Sequence, residues 1–371
     1  MNTGGENPAD ADGQPKLSAA TKRAQNYTKG PEWFFEFRTK AITGDLAENE
    51  PGIVRRDPSA VIKVGDHYHV WYSKSVGLSK GFGTGDPAAK TFPWDFCDIW
   101  HATSADGWHW EEKGVAVERG AKGTYDERSV FTPEVLAHGG KYYLVYQVVE
   151  WPYVCRVFEH IAMAVADSPE GPWTKLPGPV VEASQDGIWE GDDDNRFHVK
   201  KKGGFDSHKV HDPCLIPFEG RFFLYYKGEP MGEEMSFGGR EPKWGVAIAD
   251  HIEGPYVKSD YNPVTNSGHE VCIWPYQGGI AALLTTDGPE KNTVQWAADG
   301  INFEIMAVIK GTPEALGLCR TPDHEEGPLK GIDWGLAHKI SNQVGNDWGY
   351  IERFEADESP KTPYLDRSKY E

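Results

Sequence analysis

The sequence predicts an all-β fold, a five-bladed β-propeller with an N-terminal helical extension. Three observations predict it. A hairpin pattern recurs along the chain: an Asp-Pro or Thr-Pro turn, an apolar strand, a Gly-containing turn and an aromatic-rich strand. Each copy is followed by a second recurrent unit, an Ala-containing strand, an Asp/Gly turn and a strand that opens on an aromatic. Finally, 42 Gly, 26 Pro and 12% aromatic residues in a chain of 371 suit many short strands joined by tight turns.

Residues 1–15 are polar and Gly-rich and are expected to be a disordered tail. Residues 16–40 are expected to form a helical segment, centred on Leu17-Ser-Ala-Ala-Thr-Lys-Arg-Ala24 with Ser18 as N-cap. Its natural use is a clasp on the propeller or on a neighbouring subunit. Trp33-Phe-Phe-Glu-Phe37 is apolar enough for a strand or an anchor. The propeller is expected over 41–355. Its opening hairpins begin at Asp57, Thr132, Asp212 and His269, with a degenerate fifth at Asp333-Trp-Gly-Leu-Ala-His338. The outer hairpins read Ile99–Trp110, His160–Trp173, Trp244–Tyr256 and Val294–Phe303. The starts recur 57 to 80 residues apart, more than the roughly 40–50 residues of common propeller repeats. Long loops over 76–98, 183–211 and 229–243 must therefore lie between strands. A propeller gathers such loops on one face, where a ligand binds. The charged residues 356–371 are expected to be a tail.

A net charge of −19 repels phosphate backbones and anionic lipid, which argues against nucleic-acid and membrane partners. No apolar run approaches bilayer length, and the first residues lack a hydrophobic signal core. Five cysteines, odd in number and without a Cys-x-x-Cys pair, read as buried reduced thiols and suit a cytoplasmic location.

The residue opening each innermost strand faces the central funnel. Those positions hold Asp57, Thr132 with Glu134, Asp212, and His269 with Glu270. Acidic groups and an imidazole thus converge from four blades. Hydrolysis of a glycosidic bond needs such a set, an acid for the leaving oxygen and a base for water. An Asp before Pro is by itself a common turn residue. The Thr132-Pro133 copy shows, however, that the blade does not require Asp there. His208 and His211 flank Asp212 and can donate to sugar hydroxyls. Asp192-Asp-Asp-Asn-Arg196 lacks the ligand spacing of a calcium loop and reads as a solvated acidic turn. Most of the tryptophans near the rim, Trp71, Trp94, Trp100, Trp151, Trp189, Trp244 and Trp274, read as blade core.

Several long motifs carry a resemblance. Gly30-Pro-Glu-Trp-Phe-Phe-Glu-Phe37, Arg55-Arg-Asp-Pro-Ser-Ala-Val61, Val130-Phe-Thr-Pro-Glu-Val-Leu136, Phe205-Asp-Ser-His-Lys-Val-His-Asp-Pro-Cys214 and Thr265-Asn-Ser-Gly-His-Glu-Val271 closely resemble glycoside hydrolase family 117. These are the neoagarooligosaccharide hydrolases, or α-1,3-(3,6-anhydro)-L-galactosidases. The resemblance runs from about residue 17 to about residue 347. It implies a five-bladed propeller that dimerises by exchanging N-terminal helices. The implied reaction is inverting release of 3,6-anhydro-L-galactose from the non-reducing end of agar-derived oligosaccharides. By motif, Asp57 matches the general base, Asp212 an assisting carboxylate, His269 the general acid and Glu270 a carboxylate that binds substrate or tunes the histidine. Thr132, Glu134 and Gln147 fall where sugar contacts are expected, and His211, beside Asp212, is expected to bind substrate as well. No cofactor is implied as required. Some relatives hold a divalent ion, partly through water, near the positions of Asp57, Asp212 and Glu270.

Two other readings remain. An arabinanase- or xylosidase-like propeller glycosidase would use Glu270 as acid and His269 as a binder. A non-catalytic carbohydrate-binding propeller would repeat its site in each blade, whereas these rim residues differ from blade to blade.

Overall fold

A computed structural model of the protein describes residue 18 and residues 36–233, 240–309, 312–320, 332–340 and 348–357. The fold is all-β; among the described residues the one helical element is the 3-10 turn Asp45–Ala47. No helix there is long and apolar enough to cross a membrane. The expected disordered tail, most of the helical segment and residues 358–371 lie outside the described residues.

Strand pairing resolves into five antiparallel runs of four. The first comprises Val61–Val64, His67–Val76, Asp98–Ser104 and His109–Val117. The second comprises Ser129–His138, Lys141–Val149, Glu159–Ala166 and Thr174–Lys175. The third comprises Lys209–Phe218, Arg221–Glu229, Lys243–Ala249 and Val257–Lys258. The fourth comprises Cys272–Tyr276, Gly279–Leu284, Thr293–Ala297 and Glu304–Val308. The fifth takes Leu316–Arg320, Trp334–Ile340 and Gly349–Asp357 from late in the chain and its outer strand, Glu36–Lys40, from early in it.

Three boundaries differ from expectation. Residues 36–40 are strand, not helix, because their backbone completes the ladder of Gly349–Asp357 and Phe37 packs edge-on to Phe354 at 5.6 Å. That last strand also runs to Asp357, past the expected domain end at 355. The fifth run opens at Ala315-Leu316, not at Asp333; Trp334–Ile340 is its second strand. The opening signal has decayed there to Ala-Leu, so no Asp-Pro marks it.

Apolar side chains fill the seams between successive runs. Trp71 and Val130 meet at the first seam, and Met163 and Leu224 at the second. Trp244 and Ile273 meet at the third, and Trp274 and Phe354 at the fourth. At the last, Val61, Tyr72 and Trp110 of the first run meet Leu336 and Ile351 of the fifth. There Cys319 and Arg320 also pair in parallel with Val61 and Ile62, so the sheet closes on itself.

Candidate active site

The side chains at the centre are aimed by one repeated backbone device. Asp57, Thr132, Asp212 and Ala315 precede the apolar strand in four runs, and all have φ between 47° and 49°. A non-Gly residue in this left-handed region is uncommon and persists only where its surroundings hold it. In the second and third runs the ladder skips at this point, between Phe131 and Glu134 and between His211 and Cys214. Such a bulge re-aims a side chain. Glu270 takes the matching place in the fourth run. The five residues, each with its successor, ring one narrow axial cavity.

Above that ring opens a cavity of about 740 Å³. Asp57, Thr132, Gln147, His211, Asp212, His269 and Glu270 all line it. Of the expected site residues, only Glu134 is absent from this lining. It faces the narrow axial cavity, accepts the Ala60 N–H at 2.8 Å and pairs with Arg320 at 2.9 Å. Glu134 braces the floor and does not line the wider cavity.

Each central carboxylate has its own electrostatic setting. Burial would raise the pKa of Asp57, but the Arg56 guanidinium at 2.7 Å and His338 Nδ1 at 3.2 Å hold it well below the carboxylate range. The Thr132 hydroxyl lies 3.4 Å away and donates to it. Burial raises Asp212, assisted by the nearby Glu270 charge and opposed by its ion pair with buried Lys227. Burial would also raise Glu270, but His269 and Lys227 bring it below its ordinary value. Its Oε2 atom has no hydrogen-bond partner.

Burial pushes the His269 imidazole down, and its acidic neighbours more than reverse this, Glu270 first and Asp287 by hydrogen bond. Nδ1 lies 3.1 Å from Asp287 Oδ2, and Nε2 lies 3.9 Å from Glu270 Oε1. With Nδ1–H given to Asp287, Nε2 is the nitrogen left for a ligand. Around this centre, Gln147 donates to Glu159, and His211 lies 3.3 Å from Glu229, kept neutral chiefly by burial.

Lys227, Asp287 and His338 carry no motif and escape a reading of the sequence. Lys227 sits in an aromatic strand where it reads as an edge residue. Asp287 and His338 touch the site only through tertiary contact. One signal is available: each lies at or just beyond the far end of the second strand of its run. That end stands beside the start of the first strand, where the repeat places Asp57 and Asp212.

The three expected long loops all contribute to the cavity wall. Phe82, Phe92 and Trp94 come from the first, Asp193 to Phe197 from the second and Arg240 from the third. Phe92 and Trp94 stack at 4.6 Å, and Arg56 lies 4.9 Å over Trp94. Trp71, Trp244 and Trp274 are core, as expected, but Trp94 lines the cavity, Trp100 and Trp189 are half-buried and Trp151 is exposed. The acidic stretch is solvent-exposed, as expected, and is also tied down: Asp193 binds Arg156 at 2.7 Å, and Asp194 accepts the amides of Cys155 and Arg156.

Asp57, Asp212 and Glu270 do not present themselves as a metal-ligand set. Two are engaged by cationic side chains, and no three His, Cys, Asp or Glu side chains among the described residues are arranged to hold an ion.

A closed all-β sheet with carboxylates and an imidazole converging on one central cavity has the form of a glycoside hydrolase. The model for glycosyl hydrolases family 43 matches residues 53–193, which span the first two runs. Over 88% of this chain and 92% of the other, the protein is 34% identical, with a TM-score of 0.72, to Zg3597, a family 117 glycoside hydrolase produced by the marine bacterium Zobellia galactanivorans. The chain belongs to glycoside hydrolase family 117. A second solved glycoside hydrolase (12% identity, 92% of this chain and 96% of that one, TM-score 0.58) shares the fold. So does a GH43_1 enzyme from Xanthomonas citri (14% identity, 82% and 90%, TM-score 0.51). No curated protein matches the chain.

Proposed function

We propose that the protein is an exo-acting, inverting glycosidase that cleaves the α-1,3 bond of neoagarobiose and longer neoagarooligosaccharides. It releases 3,6-anhydro-L-galactose from the non-reducing end. The observation that carries this reading is the opposed electrostatics on one cavity floor: Asp57 is kept ionised while His269 is biased toward its protonated form. Asp57 accepts a proton from water as the water oxygen bonds to the anomeric carbon. The glycosidic C–O bond breaks, and His269 Nε2–H passes its proton to the departing oxygen. Asp212 and Glu270 stabilise the positive charge that develops on the sugar ring, and Glu270 also supports the imidazolium. Thr132, Gln147 and His211 orient hydroxyls, and Phe82, Phe92 and Trp94 offer apolar faces to the sugar rings.

The five four-stranded runs read as the blades of a five-bladed propeller. The N-terminal segment joins two copies into a dimer, and the enzyme acts in the cytoplasm. The test is incubation with neoagarobiose, followed by NMR of the first product. We expect 3,6-anhydro-L-galactose with inverted anomeric configuration. Cleavage of xylo- or arabino-oligosaccharides with neoagarobiose left intact would instead establish the arabinanase-like reading.

A further inference from the structure

On the flank of the molecule, between the first and second runs, lies a groove of about 680 Å³ that shares no lining residue with the central cavity. Its size falls in the range of small-molecule sites. Its floor holds two histidines, His69 and His101, 3% and 4% exposed. Their rings stack at 5.2 Å, and His69 Nδ1 lies 3.0 Å from His101 Nε2. His101 in turn stacks on Trp71 at 4.9 Å, and Trp173 meets Trp71 edge-on.

The other runs show what these positions ordinarily hold. Where the first run pairs His69 with Thr103 and Trp71 with His101, the second pairs Tyr143 with Val165 and Val145 with Met163. The third pairs Phe223 with Ile248 and Tyr225 with Val246. The place of His69 is thus filled by Tyr143 and Phe223, and that of His101 by Met163 and Val246. The seam is an apolar packing layer elsewhere. Two imidazoles sit here in place of groups that would pack without desolvating ring nitrogens.

The pair has a fixed hydrogen-bonding signature. Burial lowers the pKa of both rings; the Glu170 carboxylate opposes this without reversing it, while His67 lowers His69 further and His69 and Lys113 lower His101, so both are neutral near pH 7. One ring must donate to the other across the 3.0 Å contact. Whichever does, the two nitrogens left over, His69 Nε2 and His101 Nδ1, are one donor and one acceptor. That combination matches hydroxyl groups, which donate and accept at once. A simple cation would meet only one lone pair, and a simple anion only one N–H. Along the same groove Thr103 adds a hydroxyl, Ser168 donates to Glu170 and leaves the carboxylate's other oxygen as an acceptor, Lys113, paired with Glu111, keeps two further N–H donors, and exposed Val115 offers an apolar edge.

We propose that this groove is a second saccharide site, which binds a short neutral sugar chain through its hydroxyls across the His69–His101 pair, away from the catalytic cavity. It would hold an oligosaccharide close to the enzyme between cleavage events. The choice of neoagarotetraose as probe rests on the proposed function, and the experiment separates the two ideas.

The full-length Asp57→Asn chain, which leaves the sugar intact, is titrated with neoagarotetraose while the imidazole Cε1–H signals of His69 and His101 are followed by NMR. Binding of about millimolar strength should shift both signals saturably. Calorimetry on the same chain should give two sugars per chain. Adding His69→Tyr and His101→Met, the residues the second run uses at these places, should reduce this to one. In an otherwise unaltered chain the same pair should leave hydrolysis of neoagarobiose within about twofold, since neither residue lines the catalytic cavity. Imidazole signals that stay put, or that move with zinc ions and not with sugar, would overturn the proposal. So would two bound sugars in the double replacement. Shifted signals without hydrolysis of neoagarobiose by the unaltered chain would leave this site standing and remove the catalytic reading instead.

Discussion

His269 and Glu270 are neighbours in sequence and both face the cavity, so only their environments separate an acid from a supporting carboxylate. Their pKa directions assign the proton to the imidazole: His269 is raised and Glu270 lowered. His269→Gln should therefore cripple hydrolysis of neoagarobiose by about 10²–10⁴-fold and harm an activated aryl glycoside far less, since a good leaving group needs little protonation. Glu270→Gln should impair both substrates. Measuring kcat/KM for the four combinations decides it, and leaving-group rescue confined to Glu270→Gln would reverse the assignment. Asp287 permits a second check. Its carboxylate helps raise His269, so the protonated acid persists to higher pH and kcat/KM falls only as pH rises through that elevated pKa. Asp287→Asn removes the charge, and the alkaline limb should move to lower pH while the acidic limb, set by Asp57 with its Arg56 and His338 partners, stays in place. An unmoved alkaline limb would remove Asp287 from the positioning role. At this scale the sequence exposes Asp57, Asp212 and Glu270 because the repeat marks their places. It cannot expose Lys227, Asp287 or His338, whose partners are set by how separate runs meet.

Among the elements, the loop over 77–97 shows how a long insertion can still build a precise wall. Arg128, 1% exposed, pairs with fully buried Asp95 at 2.6 Å and donates to the carbonyls of Pro87 and Ala89. Lys90 adds bonds to Ser75 and to the Gly77 carbonyl. One guanidinium thus pins the segment that carries Phe82, Phe92 and Trp94. Removing one partner of a buried pair strands the other charge, at a cost of about 3–5 kcal/mol. Arg128→Met should lower stability in chemical denaturation by that order and, in the folded fraction, raise KM more than it lowers kcat. Unchanged KM would show that the aromatic wall does not depend on this anchor. The loop's presence was legible from the spacing of the repeats, but its anchor was not. Arg128 stands in an acidic, unremarkable stretch, and nothing local says it reaches back across more than thirty residues. The misplaced fifth opening has a similar cause: Ala315 adopts the same φ as Asp57 and Asp212 without the residues that advertise it.

For the molecule as a whole, closure depends on a close backbone approach where the fifth run meets the first. A Cβ on Gly317 would lie 1.9 Å from the Ser59 carbonyl oxygen; within the fifth run, one on Gly335 would lie 2.0 Å from the Gly317 carbonyl oxygen. Gly317→Ala must push two runs apart, and overpacking of this kind costs about 1–3 kcal/mol. A lowered Tm by calorimetry is expected; an unchanged Tm would mean that the seam yields freely. The proposed dimer is tested by deleting residues 1–26, which should give monomer or aggregate in light scattering, while a retained dimer would locate the contact elsewhere. The overall architecture was the most legible part of this protein, since repeated hairpins leave few ways to close a sheet.

The pairing of Glu36–Lys40 with Gly349–Asp357 also bears on how the protein is made. A ribosome adds about 5–20 residues per second, so the early strand waits for tens of seconds before its partner is synthesised. During that interval Arg38 and Lys40 lack the carboxylates of Asp357 and Glu355 that they later bind. Their positive charge then helps to keep an unpaired edge from joining another nascent chain. Among the described strands, the last to emerge is the one that fastens the first.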